Sequence, residues 1–351
     1  MDYRGAFLLM VVLTVMTLCI KTLYLSYPWT ENSEVNEMHV REFNSFKVQN
    51  INCKRILDGE KTEILRAKSM VPKGIPDDET VLRHTANCVH FRTLYGYDNI
   101  INTVEEQQFP IAFNILLYKD VAQVEILLRA IYRPQNYYCL HVDGFSPDPV
   151  HKAAKSLADC FDNVFIVSKT ENVVYESFQR LKADINCMAD HLVKPDWKYL
   201  INIPGQEYPL KTNAEIVQIL KMMNNTNDIS CTRGVGAVLG RILFKFMNVY
   251  GENGTYSIVN TGAMNTKPPH GIVVAKGSAY GVFTRQFVKY MINNQIAKDF
   301  LEWCRTILSP DEYYWSSLNY NPHLQIPGAI KGKGKDERIK GSHLFHILSK
   351  Y

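Results

Sequence analysis

The sequence predicts an α/β fold with a parallel sheet, carried behind an apolar N-terminal helix. Three observations predict it. From about residue 110 to residue 223, short apolar runs alternate with longer amphipathic ones, the pattern of strand–helix units in a parallel sheet. The composition is globular, 46% hydrophobic and 21% charged. Residues 5–20 contain no charge at all. A chain of 351 residues allows one large or two ordinary domains. The net charge of +4 is too small to argue for nucleic acid, and no such partner is expected. There is no repeat, Walker loop or GxGxxG.

The N-terminus is read first. GAFLLMVVLTVMTLCI, 5–20, is followed by Lys21 and then by Thr22, Leu23, Tyr24 and Leu25. With its flanks this spans roughly 20 residues, enough for a bilayer if Lys21 snorkels to the interface. A cleaved signal peptide is the alternative, but no small-x-small cleavage site follows, and Tyr24, Tyr27 and Trp29 resemble an interfacial belt. The expected division is a cytoplasmic tail at 1–4 and a signal anchor at 5–25. A stem and N-terminal luminal region then covers 26–105, a catalytic-type domain 106–328 and a divergent basic tail 329–351. Residues 26 to about 105 are polar and weakly periodic.

The elements follow in order. PIAFNILLY (110–118) reads as a buried strand and VAQVEILLRAIY (121–132) as an amphipathic helix. YYCLHVD (137–143) is a second strand, followed by a helix through VHKAAKSLADCF; NVFIVSK (163–169) is a third. A helix over YESFQRLKADINCMADHLV, the strand KYLINI and a helix TNAEIVQILKMM come next, the last with a capping box at Thr212 and Glu215. Ligands of such sheets bind at the carboxyl ends of the strands. Asp143, ending the second strand, is therefore placed either to meet a ligand or to cap its own loop. Farther on, GSAYGVFT (277–284) reads as a strand in close packing, followed by helices from Arg285 and through AKDFLEWCRTIL. The segment after Pro327 is basic and glycine-broken.

The eight cysteines include Cys19 in the apolar segment and seven beyond it, none in a CxxC pair. Scattered disulfides in an oxidising compartment fit better than a zinc cluster. The sequons at Asn224 and Asn253 fit the same location.

SPDEYYW, 309–315, poses the main functional question. Ser309, Pro310 and Glu312 match N-cap, N1 and N3 of a capping box. The same glutamate, exposed at a helix start, has the chemistry of a general base.

Several blocks resemble one family. LLRAIYRPQNYYCLHVD, CFDNVFIVSKTENVVYESFQRLKADINCM, WKYLINIPGQEYPLKTNAEIV, GSAY and SPDEYYW are similar to the branching β-1,6-N-acetylglucosaminyltransferases, the core 2 and I-branching enzymes. The likeness runs from about Cys53 to Gly328 and is densest between Phe109 and Leu220. Peptide O-xylosyltransferases are a more distant resemblance. The family likeness implies a single-pass type II Golgi membrane glycoprotein, with a GT-A-like, Rossmann-type domain in the lumen. It implies a UDP-N-acetylglucosamine donor and inverting transfer to the 6-hydroxyl of galactose or N-acetylgalactosamine. The acceptor would be an O-glycan or polylactosamine on a glycoprotein. It further implies bridges Cys88–Cys160 and Cys139–Cys187, donor contacts from Leu116, Asp143 and Tyr175, and Glu312 as catalytic base. No DxD motif is present, and the family works without a metal or other cofactor, using cations on the diphosphate.

The family's clamp arginine and lysine have no match here. Lys331, Lys333, Lys335, Arg338 and Lys340 read as a solvated tail, as do His343 and His346. Cys53 is expected to lack its family partner, and Cys231 and Cys304 have no obvious one. The segment SCTRGVGAVLGRILFKF holds no carboxylate for a sugar hydroxyl, though Arg241 and Lys245 lie in it. The alternative expectation is thus a catalytically impaired or truncated relative that serves as a Golgi binding module.

Overall fold

The computed structural model describes residues 51–69, 77–232, 239–251, 255–329 and 348–350. The expected anchor, Asn253, Cys19 and the basic and histidine residues of the tail lie outside these residues. Among the described residues, no helix is long and apolar enough to cross a membrane.

Two short helices, α1 (Cys53–Leu57) and α2 (Lys61–Ser69), belong to a unit of their own ending at Ile75. The Asn52 side chain caps α1 by accepting from the Arg55 amide, and its own amide donates to Glu63 Oε1 at 2.8 Å. Cys53 is exposed and outside any disulfide.

The second unit, 76–351, opens with α3 (Asp78–Thr85), α4 (Cys88–Tyr95) and α5 (Val104–Gln107). This region falls within the expected stem and N-terminal luminal region. Val81, Phe91 and Tyr97 are buried in the same apolar cluster as the sheet, and a disulfide joins Cys88 to Cys160. Each helix buries only one or two side chains, too few to give a strong period in the sequence.

The alternation from residue 110 becomes β1 (Ile111–Leu117), α6 (Val121–Ile131), β2 (Tyr137–Val142), α7 (Asp148–Ala158), β3 (Val164–Ile166), α8 (Phe178–Leu192) and β4 (Tyr199–Pro204). The strands β3, β2, β1 and β4 are parallel neighbours in that order. The order reverses between β1 and β4, which places α8 on the opposite face from α6 and α7. The buried side chains divide accordingly. Tyr138, Leu140 and Val142 of β2 pack with α6 and α7, whereas Cys139 faces α8 and is bonded to Cys187. The reversal leaves a crevice at the carboxyl ends of β1 and β4, the position where open α/β sheets bind ligands.

After β4 come β5 (Glu207–Pro209) and α9 (Asn213–Met222). The Thr212–Glu215 capping box forms as expected: the Thr212 amide donates to Glu215 Oε2 at 2.8 Å. A short helix α10 (Leu239–Leu243) leads into β6 (Phe244–Tyr250), which pairs antiparallel with β7 (Tyr256–Met264) as an exposed two-stranded ribbon. Gly262, at φ +74°, lies in the irregular part of that ribbon, a conformation suited to glycine.

The expected strand 277–284 is regular only at β8 (Val282–Thr284), which joins β4 antiparallel. The Asn202 side chain stands in for a ladder over the rest, donating to Ala279 O and accepting from Gly281 N. Helices α11 (Arg285–Asn293), α12 (Gln295–Trp303) and α13 (Tyr314–Tyr320) complete the second core with α8. In the tail, β9 (Leu348–Lys350) pairs antiparallel with β5.

Candidate active site

Three strand ends meet at the crevice. The Gly205 amide, just past β4, donates to Leu116 O at 2.8 Å, and the Asp143 amide, just past β2, donates to Leu117 O at 2.8 Å. Leu116 is thus half-buried at the topological switch. A side chain at position 205 would drive into Val124 and Leu117, so glycine is what lets these strand ends close up.

Asp143 performs the loop-capping role weighed above. Its Oδ1 accepts from the amides of Phe145 and Val173, both at 3.0 Å. The second bond fixes the loop 171–177 between β3 and α8. The neutral His141 secures the start of that loop, since its Nε2 accepts from the Glu171 amide at 3.0 Å and burial lowers its pKa. The outer oxygen of Asp143 has no part in either bond. Tyr175, in the same loop, is 85% exposed and stands out as a ring with little protein against it.

The loop then turns at Glu176, which has φ +64°. Its carbonyl accepts from the Ser309 amide at 2.7 Å, and its Oε1 accepts from Ser309 Oγ at 3.1 Å. Ser309 itself has φ +53°. Two non-glycine residues in the left-handed region, bonded to each other beside candidate site residues, mark a place where local conformation has been overruled.

That geometry corrects the expected capping box. With Ser309 left-handed, its hydroxyl is turned to Glu176 and caps nothing; residues Pro310–Glu312 form a single 3-10 turn. Glu312 is therefore not a helix-end partner of Ser309. Its Oε2 is held instead by Arg241 Nη1 at 2.9 Å and Lys276 Nζ at 3.1 Å. Arg241 also reaches Glu176 Oε1 with Nη2 at 3.3 Å. All four side chains are 28–33% exposed, so the cluster is open to a ligand and partly screened. The Glu312 main chain is fixed as well, its carbonyl accepting from the Gly277 amide at 2.7 Å and Ser316 Oγ at 3.0 Å. Burial pushes the neighbouring Tyr313 phenol up to about 12.

Beneath this lies a buried polar network. Asp184 on α8 accepts from Arg180 at 2.6 Å, Asn114 Nδ2 at 3.0 Å and Asn202 Nδ2 at 3.1 Å. Burial alone would weaken the Arg180 charge, but Asp184 and Asp311 more than offset this and raise its pKa. Asp311 is also buried, and desolvation raises its carboxyl to about 6 against the pull of Arg180. Removing Asp184, its close partner, would leave the buried Arg180 charge poorly compensated.

Among the residues expected at a site, Asp143 and Tyr175 connect to Glu312 through the loop 171–177. Arg241 reaches the cluster, while Lys245 lies on the ribbon. The structure contains both expected disulfides. Asn224 is exposed at the end of α9. Cys231 and Cys304 are buried, outside these two bridges. Sequence reasoning missed Lys276, Glu176 and the Arg180–Asp184–Asp311 network. Lys276 directly precedes GSAY, and that adjacency was the available signal. Among the described residues, no group of three His, Cys, Asp or Glu side chains is arranged to hold a metal ion.

Comparison with known proteins bears on this arrangement. The family model described as "Core-2/I-Branching enzyme" matches residues 111–338. The chain is 41% identical over 287 residues to a zebrafish (Danio rerio) protein named "Beta-1,3-galactosyl-O-glycosyl-glycoprotein beta-1,6-N-acetylglucosaminyltransferase 4", covering 80% of this chain and 66% of that one. It is 36% identical over 294 residues to the human "Beta-1,3-galactosyl-O-glycosyl-glycoprotein beta-1,6-N-acetylglucosaminyltransferase", covering 81% and 67%. A human "N-acetyllactosaminide beta-1,6-N-acetylglucosaminyl-transferase" is 36% identical over 275 residues, covering 75% and 68%. The chain spans about two thirds of the length of these curated relatives. With the strand-end crevice and the Glu312 turn inside the matched span, the chain belongs to the Core-2/I-branching enzyme family.

Proposed function

We propose that this protein is an inverting, metal-independent glycosyltransferase with a GT-A-like domain. It transfers N-acetylglucosamine from UDP-N-acetylglucosamine in β-1,6 linkage to galactose or N-acetylgalactosamine of O-glycans or polylactosamine. The observation that carries the reading is the position of Glu312. Its carboxylate stands in a partly open charged cluster, tied through Glu176 and the loop 171–177 to Asp143 at the strand end. In this reading the uridine side of the donor lies against Leu116, Asp143 and Tyr175. Glu312 takes the proton from the acceptor 6-hydroxyl as that oxygen bonds to the anomeric carbon, and the bond from that carbon to UDP breaks. The catalytic domain works in the Golgi lumen behind the N-terminal anchor, and Asn224 and Asn253 carry N-glycans.

A second reading has its own observation. Arg241 and Lys276 both grip Glu312 Oε2, and a carboxylate so held serves equally well as a structural anchor in a non-catalytic binding module. The discriminating experiment is a transfer assay on the detergent-solubilised full chain and on Glu312→Gln. The transferase reading expects a loss of about 10²–10⁴-fold in rate, the range for removing a general base, with UDP binding retained. A folded wild type that binds UDP yet transfers to no galactose- or N-acetylgalactosamine-terminated acceptor overturns it. So does a Glu312→Gln protein of undiminished rate.

A further inference from the structure

The turn that carries Glu312 is aimed from below. Pro310–Glu312 form one 3-10 turn, in which successive side chains point about 120° apart. With Asp311 pointing in, Glu312 points out. Asp311 is 7% exposed, whereas the Glu312 side chain is 29% exposed within its charged cluster. Main-chain bonds fix two points of the turn: the Ser309 amide donates to Glu176 O and the Gly277 amide to Glu312 O, both at 2.7 Å. Two fixed points define an axis, and rotation about it depends on what the Asp311 side chain meets. It meets Arg180, with Oδ2 and Nε 4.0 Å apart.

Arg180 serves more than this turn. It stands in the first turn of α8, pairs with Asp184 at 2.6 Å, and holds its guanidinium 5.7 Å from the centre of the Tyr280 ring. Asp184 accepts from Asn202 Nδ2, and the Asn202 amide also grips Ala279 O and Gly281 N. That segment continues directly from Gly277, whose amide holds the Glu312 carbonyl. One guanidinium thus touches α8, the turn of Glu312 and the segment that supports the turn. A planar fork can face several partners at once, as the point charge of a lysine cannot. A buried ion pair is often no more stabilising than well-packed apolar side chains. Stability alone therefore gives no reason for a charge here, whereas aiming the base does.

We infer that Arg180 is a positioning residue for transfer: held by Asp184, it draws Asp311 inward and so turns the Glu312 carboxylate out toward the acceptor hydroxyl. This rests on the transferase reading above, in which Glu312 is the base.

The experiment measures steady-state transfer from UDP-N-acetylglucosamine to a galactose-terminated acceptor at pH 7.5, where Asp311, with a pKa of about 6, is ionised. Wild-type, Arg180→Lys, Asp311→Asn, Glu312→Gln and the Asp311→Asn/Glu312→Gln double variant are compared as full chains in detergent. Calorimetry gives UDP affinity, and thermal unfolding checks the fold. Arg180→Lys keeps the charge without the fork and should lower kcat about 10–100-fold, the scale of a group misplaced by up to about 1 Å. Asp311→Asn attracts Arg180 less and should lower kcat about 3–10-fold, while leaving the protein at least as stable as wild type. Donor KM and UDP affinity should stay at wild-type values in both. In the Glu312→Gln background, Asp311→Asn should cost less than about twofold, because no base is left to misplace.

A merely structural role would cost the same factor with and without Glu312, and that result overturns the inference. So does a folded Arg180→Lys or Asp311→Asn protein of undiminished kcat, or a loss of UDP affinity in step with kcat. If Arg180→Lys does not fold, the Asp311→Asn comparisons decide alone. A wild type that transfers nothing overturns the transferase reading and this inference with it; a wild type that transfers, with variants equally fast, overturns the inference alone.

Discussion

Replacing Asp311 by asparagine should stabilise the protein at neutral pH and do so less in acid. Desolvation of the buried carboxyl, with Glu312 and Asp184 nearby, outweighs the opposing pull of Arg180 and a backbone hydrogen bond, and its pKa stands at about 6 against 3.8 for the free group. The folded protein therefore holds this proton more tightly than the unfolded chain does. The resulting stabilisation is complete below pH 3.8 and is lost as the pH rises through about 6. The gap corresponds to about 3 kcal/mol, absent from the wild type at pH 7.5. Asparagine matches the protonated acid in shape and charge and loses nothing over the same range. At pH 4.5 the wild type has given up only about 1 kcal/mol, so the advantage of the variant should grow by about 2 kcal/mol between the two pH values. Urea unfolding of both proteins at each pH measures this directly, because contributions from other titrating groups cancel in the difference. An advantage that is the same at both pH values, or larger in acid, refutes the account of a desolvated carboxyl beside Arg180.

Two further perturbations address the scaffold. Converting Cys88 and Cys160 to alanine releases a loop with a sequence separation of 72. It should cost about 4 kcal/mol in the chain-entropy account, read as a lower urea midpoint under oxidising conditions; an unchanged midpoint would mean that α3–α5 dock without the bridge. Gly277→Ala places a methyl against the Ser230 carbonyl and Ser316 Cβ, forcing apart the turn whose amide binds Glu312 O. Thermal unfolding should show a loss of about 1–3 kcal/mol and the transfer rate should fall with it; a variant as stable as wild type would show that this contact is not tight.

What could be read from the sequence follows physical lines. The strands β1 to β4 and helices α6 to α9 were legible because they bury a continuous stripe or a whole strand, and burial is what periodicity records. The Thr212 box was legible because its partners are local. The matching pattern at Ser309 misled for the opposite reason: a contact with Glu176, more than 130 residues away, turned the serine left-handed and removed the cap. The β6–β7 ribbon was missed because neither face is deeply buried, so its aromatic and β-branched residues showed no in–out alternation. A hint was present in the two such runs flanking the Gly-Glu-Asn-Gly segment at 251–254. Arg180 and Asp184 were invisible as a core network because an i, i+4 ion pair on an amphipathic helix reads as its solvated face. Only the crossing of α8 over Asn114 and Asn202 makes it interior.

The two disulfides bind opposite faces of the sheet, and this has a consequence for how the chain must mature. Their loops overlap, since Cys139 and Cys160 each lie inside the span of the other bridge. Of all the pairs these four cysteines can form, Cys139 with Cys160 closes the shortest loop and is the easiest to reach in an unstructured chain. In the native protein it is forbidden: Cys139 points toward α8, while Cys160 follows α7 on the far side. Oxidation ahead of sheet formation therefore selects the wrong bridge, and thiol exchange must undo it before either face can close. Productive maturation requires β2 to be set between its neighbours first, so that the sheet itself sorts the thiols.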